Sequence, residues 1–215
     1  MRTEEEQVEA LKNWWKENGK SLVLTIALAL AVVFGWKAWQ NNQRITAENA
    51  GIMYQNLVQA VQLASAPQAT DDQRTTAAHL AKSLKVEYGD TAYARFGALF
   101  SARLYVDKGD YEAALNELDW VLAQSEDSVM QTVATMRKAR VMAAMGDADK
   151  AISLLDGLKE PSFSVSVAEL KGDLYLQAGA VDKAREAYQS AVADAPQGGR
   201  PLLTLKLDSL AAKGS

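Results

Sequence analysis

The 215-residue chain has no cysteine and a single histidine, His79. Disulfides, thiol chemistry and cysteine-containing zinc sites are excluded together, and a histidine-based triad would have to be built on His79. Without cysteine the chain needs no redox machinery, which suits an oxidising compartment. Basic charge is also in short supply, with 23 basic against 27 acidic residues for a net charge of −4. The first 37 positions hold five of each sign, so the whole excess of acid lies in the remainder. That balance argues against a nucleic-acid partner, which normally selects a basic face. Proline is confined to positions 67, 161, 196 and 201, and runs of β-branched residues are rare. Little therefore stands in the way of helix.

Long apolar runs are scarce as well. The one strong example is GKSLVLTIALALAVVFGWKAWQ, Gly19 to Gln40, in which 16 uncharged residues run from Ser21 to Trp36. Extended to Trp39 past a snorkelling Lys37, a helix of this length spans roughly 28 Å, close to the ~30 Å of a hydrocarbon core. Ala29-Leu30-Ala31 formally satisfies a small-x-small cleavage rule, so a cleaved leader and a retained anchor are both open. The flanks favour the anchor. The segment before the run opens with Glu4-Glu5-Glu6, and Val32-Val33-Phe34 continue the apolar stretch beyond the cleavage motif. Trp36 and Trp39 stand where an interfacial aromatic belt is expected, with Lys20 and Lys37 as flanking interface residues. Arg2, Lys12, Lys16 and Lys20 precede the span, whereas only Lys37 and Arg44 follow it closely, which places the N-terminus in the cytoplasm. Ala27, Ala31 and Gly35 recur every four residues and form a small-residue stripe suited to close helix packing. Three segments are expected: a cytoplasmic amphipathic tail over 1–20, with Val8, Leu11 and Trp15 on one face, a transmembrane helix over 21–39, and a folded domain over 40–215. Gly19-Lys20-Ser21 is no phosphate loop, because Trp14 stands where the required glycine would be.

Beyond the span the pattern predicts helices over 41–65, 72–88, 91–107, 110–124, 128–145, 148–158, 164–178, 181–194 and 201–212. Gly109, Gly146 and Gly179 mark three aligned copies of one unit. Seven residues before each glycine stand Ala102, Ala139 and Gly172, and four before stand Tyr105, Met142 and Tyr175. Five after come Ala114, Ala151 and Ala184, nine after Leu118, Leu155 and Tyr188, and twelve after Val121, Leu158 and Ala191. Glycine is expected to close the first helix of each pair in a left-handed cap, and Asp110 or Asp147 to cap the next. The small residues let paired helices approach. Glycine spacings of 37 and 33 residues lie near the ~34 of a tetratricopeptide repeat. The fold class is therefore all-α: one N-terminal transmembrane helix followed by a tetratricopeptide-like helical solenoid. Residues 200–213 are its expected closing helix, with Pro201 in the first turn.

No catalytic constellation emerges. His79 sits in a helical context between Ala78 and Leu80 and is read as structural, the acidic residues fall at helix starts or on polar faces, and no cofactor is called for. Solenoids bind through the face lined by the first helix of each pair. Six residues before the marker glycines stand Arg103, Arg140 and Asp173, and ten before stand Leu99, Met136 and Glu169. These form a candidate groove, apolar and basic at one end and acidic at the other, suited to a peptide of mixed charge. Leu99 and Met136 fit the core equally well.

The stretches EEQVEALKNWWKENGK, GWKAWQ, AYARFGALFSARLYVDKGDYEAAL, VAELKGDLYLQAGAVDKAREAYQSAV and LKLDSLA together resemble the YfgM family of ancillary subunits of the bacterial SecYEG translocon. The resemblance covers essentially the whole chain and is most specific before and within the span. It implies a single-pass inner-membrane protein with a periplasmic tetratricopeptide-like domain. Implied partners are SecYEG and the membrane-anchored chaperone PpiD, and the implied, non-enzymatic task is passing newly exported polypeptides to periplasmic chaperones. It further implies a link to a cytoplasmic response regulator, reachable only by residues 1–20. The competing expectation is an anchored scaffold for another envelope machine, in cell-wall synthesis or division, or an envelope-stress regulator.

Overall fold

The computed structural model describes residues 4–196 and 200–212, and every regular element among them is helical. The chain divides into two compact units at Asn49/Ala50. The boundary falls inside the first helix, α1 (Glu4–Ala64).

The first unit is helical throughout its described part. The tail and span, expected as separate segments, run on without a break because no proline interrupts them and the two glycines each cost only about 1 kcal/mol in a helix interior. Gly19 is covered by the ring of Trp15, 3.1 Å from where a Cβ would stand. The apolar window that makes this helix a candidate membrane span is exposed throughout. Thr25 donates its hydroxyl to the Ser21 carbonyl at 2.9 Å, so this polar side chain is satisfied within its own helix.

The second unit starts with the end of α1 and α2 (Asp71–Glu87), which share a core of Ala50, Leu57, Val61, Ala77, Ala81 and Leu84. Thr70 begins α2 with a capping box: its hydroxyl accepts from Gln73 N while the Gln73 side chain accepts from Thr70 N. The signature Thr-x-x-Gln is written in the sequence. Tyr54 joins this pair to α3 (Ala92–Asp107), its ring lying 5.5 to 6.3 Å from those of Tyr93, Phe96 and Phe100.

Three helix pairs follow in sequence: α3 with α4 (Tyr111–Gln124), α5 (Ser128–Ala144) with α6 (Ala148–Asp156), and α7 (Ser164–Gln177) with α8 (Val181–Asp194). Each pair turns at a marker glycine with positive φ, +77° at Gly109, +95° at Gly146 and +76° at Gly179. The residue after each glycine donates its amide to the carbonyl of Tyr105, Met142 or Tyr175, while the glycine amide reaches Val106, Ala143 or Leu176. This is a double helix-end closure of the Schellman kind. Asp110 caps α4 by accepting from Ala113 N at 3.1 Å. Asp147 does not cap α6 as expected, because its carboxylate turns to Lys150, 3.1 Å away.

Ala114, Ala151 and Ala184 are fully buried, as are Leu118, Leu155 and Tyr188 to within about one per cent. Leu158 departs from the pattern. The sequence predicts helix to that residue, but α6 stops at Asp156: Gly157 weakens the last turn, and Pro161 holds Glu160 extended at ψ 110°. Leu158 is left half-buried beside the α5, α6 and α7 core. Each core cluster combines a pair with the first helix of the next, so a pair completes its burial only through its neighbour. The stack closes on α9 (Pro201–Ala212), whose Leu203 and Leu210 fill the last cluster with Tyr188 and Ala191.

Candidate functional site

Two surfaces carry the residues singled out by the sequence. On the first unit, Ala27, Ala31 and Gly35 are exposed on successive turns of α1, and nothing lies within 4 Å of where a Gly35 Cβ would stand. Lys20 and Lys37 are exposed, and the Trp36 and Trp39 rings are exposed and lie 5.0 Å apart. The stripe is thus open along its length, and a second helix could approach it closely.

On the repeat domain the expected groove divides into parts that behave differently. Leu99 and Met136, each 5% exposed, belong to the core and present nothing to a ligand. Their helical phase turns them between the helices, and the core reading of these two residues replaces the groove reading. Arg103 of α3 and Arg140 of α5 both line one cavity, of ≈ 280 Å³. Val106, Leu118 and Val141 form its aliphatic lining.

A third arginine, Arg137, also lines this cavity. Its Nη1 donates to the Leu99 carbonyl at 3.1 Å, tying α5 to α3. Desolvation, followed by the charges of Arg140 and Arg103, pulls its pKa below the ordinary arginine value. Sequence reasoning missed Arg137 because it stands nine residues before its marker glycine, where the other copies carry Phe100 and Leu170. A charged residue at a position otherwise apolar was the available signal.

The acidic end of the expected groove is occupied by the chain itself. Lys206 of α9 lies 2.7 and 2.9 Å from the two carboxylate oxygens of Asp173 and 3.0 Å from Glu169. Arg200 adds a 2.7 Å bond to Glu169 and a 2.9 Å bond to Ser166, and Tyr188 donates its hydroxyl to Asp173 at 2.7 Å. Glu169 and Asp173 therefore hold the closing helix in place and are not free for a ligand. The sequence pattern could not reveal this, because residues 200 and 206 belong to no repeat.

His79 is exposed on α2 at a separate ≈ 610 Å³ cleft, near Lys85 and Trp120. Lys85 there is already engaged, 3.0 Å from Glu117 and 4.9 Å over the Trp120 ring.

The chain matches the tetratricopeptide repeat-like domain family over residues 12–212. Among curated proteins it is 32% identical to the ancillary SecYEG translocon subunit of Escherichia coli, over 96% of each chain. It is 30% identical to the protein of the same name from Haemophilus influenzae, over 96% of this chain and 97% of the relative. The Neisseria gonorrhoeae counterpart is 31% identical, with 96% and 97% covered. Among solved structures, a MamA RS-1 double mutant superposes with a TM-score of 0.56 over 79% of this chain and 85% of its own, at 16% identity. MamA from Desulfovibrio magneticus RS-1 gives 0.52 over 78% and 90%, also at 16% identity. Both are likenesses of fold.

Proposed function

The chain belongs to the YfgM family of ancillary SecYEG translocon subunits, tetratricopeptide repeat-like proteins, and from that premise we propose that it is a non-enzymatic translocon accessory held in the bacterial inner membrane. The observation that carries the reading is the near full-length relationship to four proteins so named. The exposed apolar stretch of α1 supports it, since a retained anchor over 21–39 with both flanks outside the bilayer needs such a surface. In this reading residues 1–20 are cytoplasmic, where they could meet a response regulator. Residues 40–215 are periplasmic, where the repeat domain holds exported polypeptides or chaperones, PpiD among them, near the translocon exit.

The test is crosslinking from the membrane. Photoreactive residues at Ala27, Ala31 and Gly35 are expected to trap a translocon subunit. Lipid adducts alone at all three positions would remove the stripe from the reading, and co-purification of division or cell-wall proteins without translocon subunits would replace it with the scaffold.

A further inference from the structure

The cavity between α3 and α5 holds more positive charge than its surroundings balance. Arg137 is committed to the Leu99 carbonyl. Arg103 has one anion, Asp107, one turn along its own exposed helix face and 3.8 Å away, too far for a hydrogen bond. Arg140 makes no ion pair or hydrogen bond among the described residues. Elsewhere in the domain cations on one helix find carboxylates on another, as Lys85 finds Glu117 and Lys206 finds Asp173. Among the described residues no carboxylate from another helix pairs with these three guanidinium groups, so they repel one another, and an incoming anion would relieve that repulsion. Guanidinium is also the cation best matched to carboxylate geometry.

Charge alone would suit any anion, but the lining narrows the choice. Beneath the arginines lie Val106, Leu118 and Val141, an aliphatic surface that an inorganic anion would leave uncovered. At ≈ 280 Å³ the cavity sits below the roughly 300–1,000 Å³ typical of small-molecule pockets, and accepts a side chain rather than a cofactor.

We propose that this cleft binds a polypeptide segment in which acidic residues flank one apolar side chain, the apolar group entering the cavity and the carboxylates pairing with Arg103 and Arg140. The proposal rests on the reading of the repeat domain as a polypeptide-binding element and names the class of segment it takes.

The experiment uses the full chain in lipid nanodiscs and three fluorescein-labelled peptides. The first carries phenylalanine between two acidic residues on each side, the second replaces the acids with lysine, and the third replaces phenylalanine with glycine. The first should bind saturably, and both replacements should weaken binding roughly tenfold or more. Combined Arg103→Gln and Arg140→Gln should do the same to the first peptide. Should that double variant melt early, Arg140→Glu alone carries the test, since this exposed residue has no described partner to lose. Absence of saturable binding by the first peptide, or equal binding by wild type and variant, overturns the proposal. Crosslinking from Ala27, Ala31 and Gly35 is scored on the same variants. Retained translocon capture with lost peptide binding isolates the cleft, whereas peptide binding without any translocon capture sinks the accessory reading alone.

Discussion

The ring of Tyr188 occupies the space that a side chain at Gly172 would need: a Cβ there would stand 2.4 Å from Tyr188 Cε1 and 2.5 Å from Cδ1. The other two copies place alanine and leucine at these positions, Ala102 with Leu118 and Ala139 with Leu155. The third copy exchanges a small residue for none and a leucine for a larger ring. Its total volume is nearly kept, and the Tyr188 hydroxyl gains reach to Asp173, 2.7 Å away.

Gly172→Ala should therefore destabilise the domain by about 1–3 kcal/mol through overpacking. Adding Tyr188→Leu restores the alanine and leucine pairing of the other copies. The double variant should recover most of the loss, short of the hydrogen bond to Asp173. Urea unfolding of the four members of the cycle measures the coupling, and strict additivity would show that the ring and the glycine do not compensate each other.

Gly146→Ala tests a different cost. Nothing lies within 4 Å of the missing Cβ, so the penalty comes from the φ of +95° and not from a clash. A loss of about 1–2 kcal/mol is expected, with Gly146→Asn milder. The urea midpoint should fall accordingly, and an unchanged midpoint would mean that the left-handed closure contributes nothing.

The closing helix should loosen at alkaline pH. Burial, then the hydrogen bond to Asp173, raises the Tyr188 pKa. For Lys206, desolvation lowers the pKa but is outweighed by the hydrogen bonds to Asp173 and Glu169, so the balance is upward. Both groups hold their protons more tightly when folded. Their stabilisation is complete below the unfolded-chain values, about 10 for tyrosine and 10.4 for lysine, and is lost as pH rises through the higher folded values. Hydrogen exchange in α9, extrapolated to a common intrinsic rate, should show progressive opening above about pH 10. Lys206→Met should open α9 already at neutral pH, at a cost of about 1 kcal/mol given its partial exposure. A variant with α9 protection equal to wild type would deny the ion pairs that role.

Gly35→Leu should leave the unfolding of the repeat domain untouched, because the added side chain meets open space on α1. Translocon crosslinking from Ala31 should nevertheless drop severalfold if the stripe is an interface. Crosslinking at the wild-type level would locate the membrane contact on another face.

Features that depend on local order along the chain were legible before any packing was known. Ser21 to Trp39 has the length and polarity of a span, and the marker glycines sit where a left-handed residue must follow a helix. Ala114, Ala151 and Ala184 are small because paired helices touch there. These features are legible because each is set by a residue's own backbone preference or by a constant offset from the glycine. The binding surface followed less closely. Arg103 and Arg140 could be read as neighbours from their common offset, but the same offset logic put Leu99 and Met136 in the groove when the helical phase buries them. Only the tertiary structure added Arg137 to the cleft and withdrew Glu169 and Asp173 from it. Those decisions rest on how α5 leans on α3 and where α9 lands on α7, and neither angle is encoded by any one repeat. Charge meeting charge across helices is settled when the helices pack.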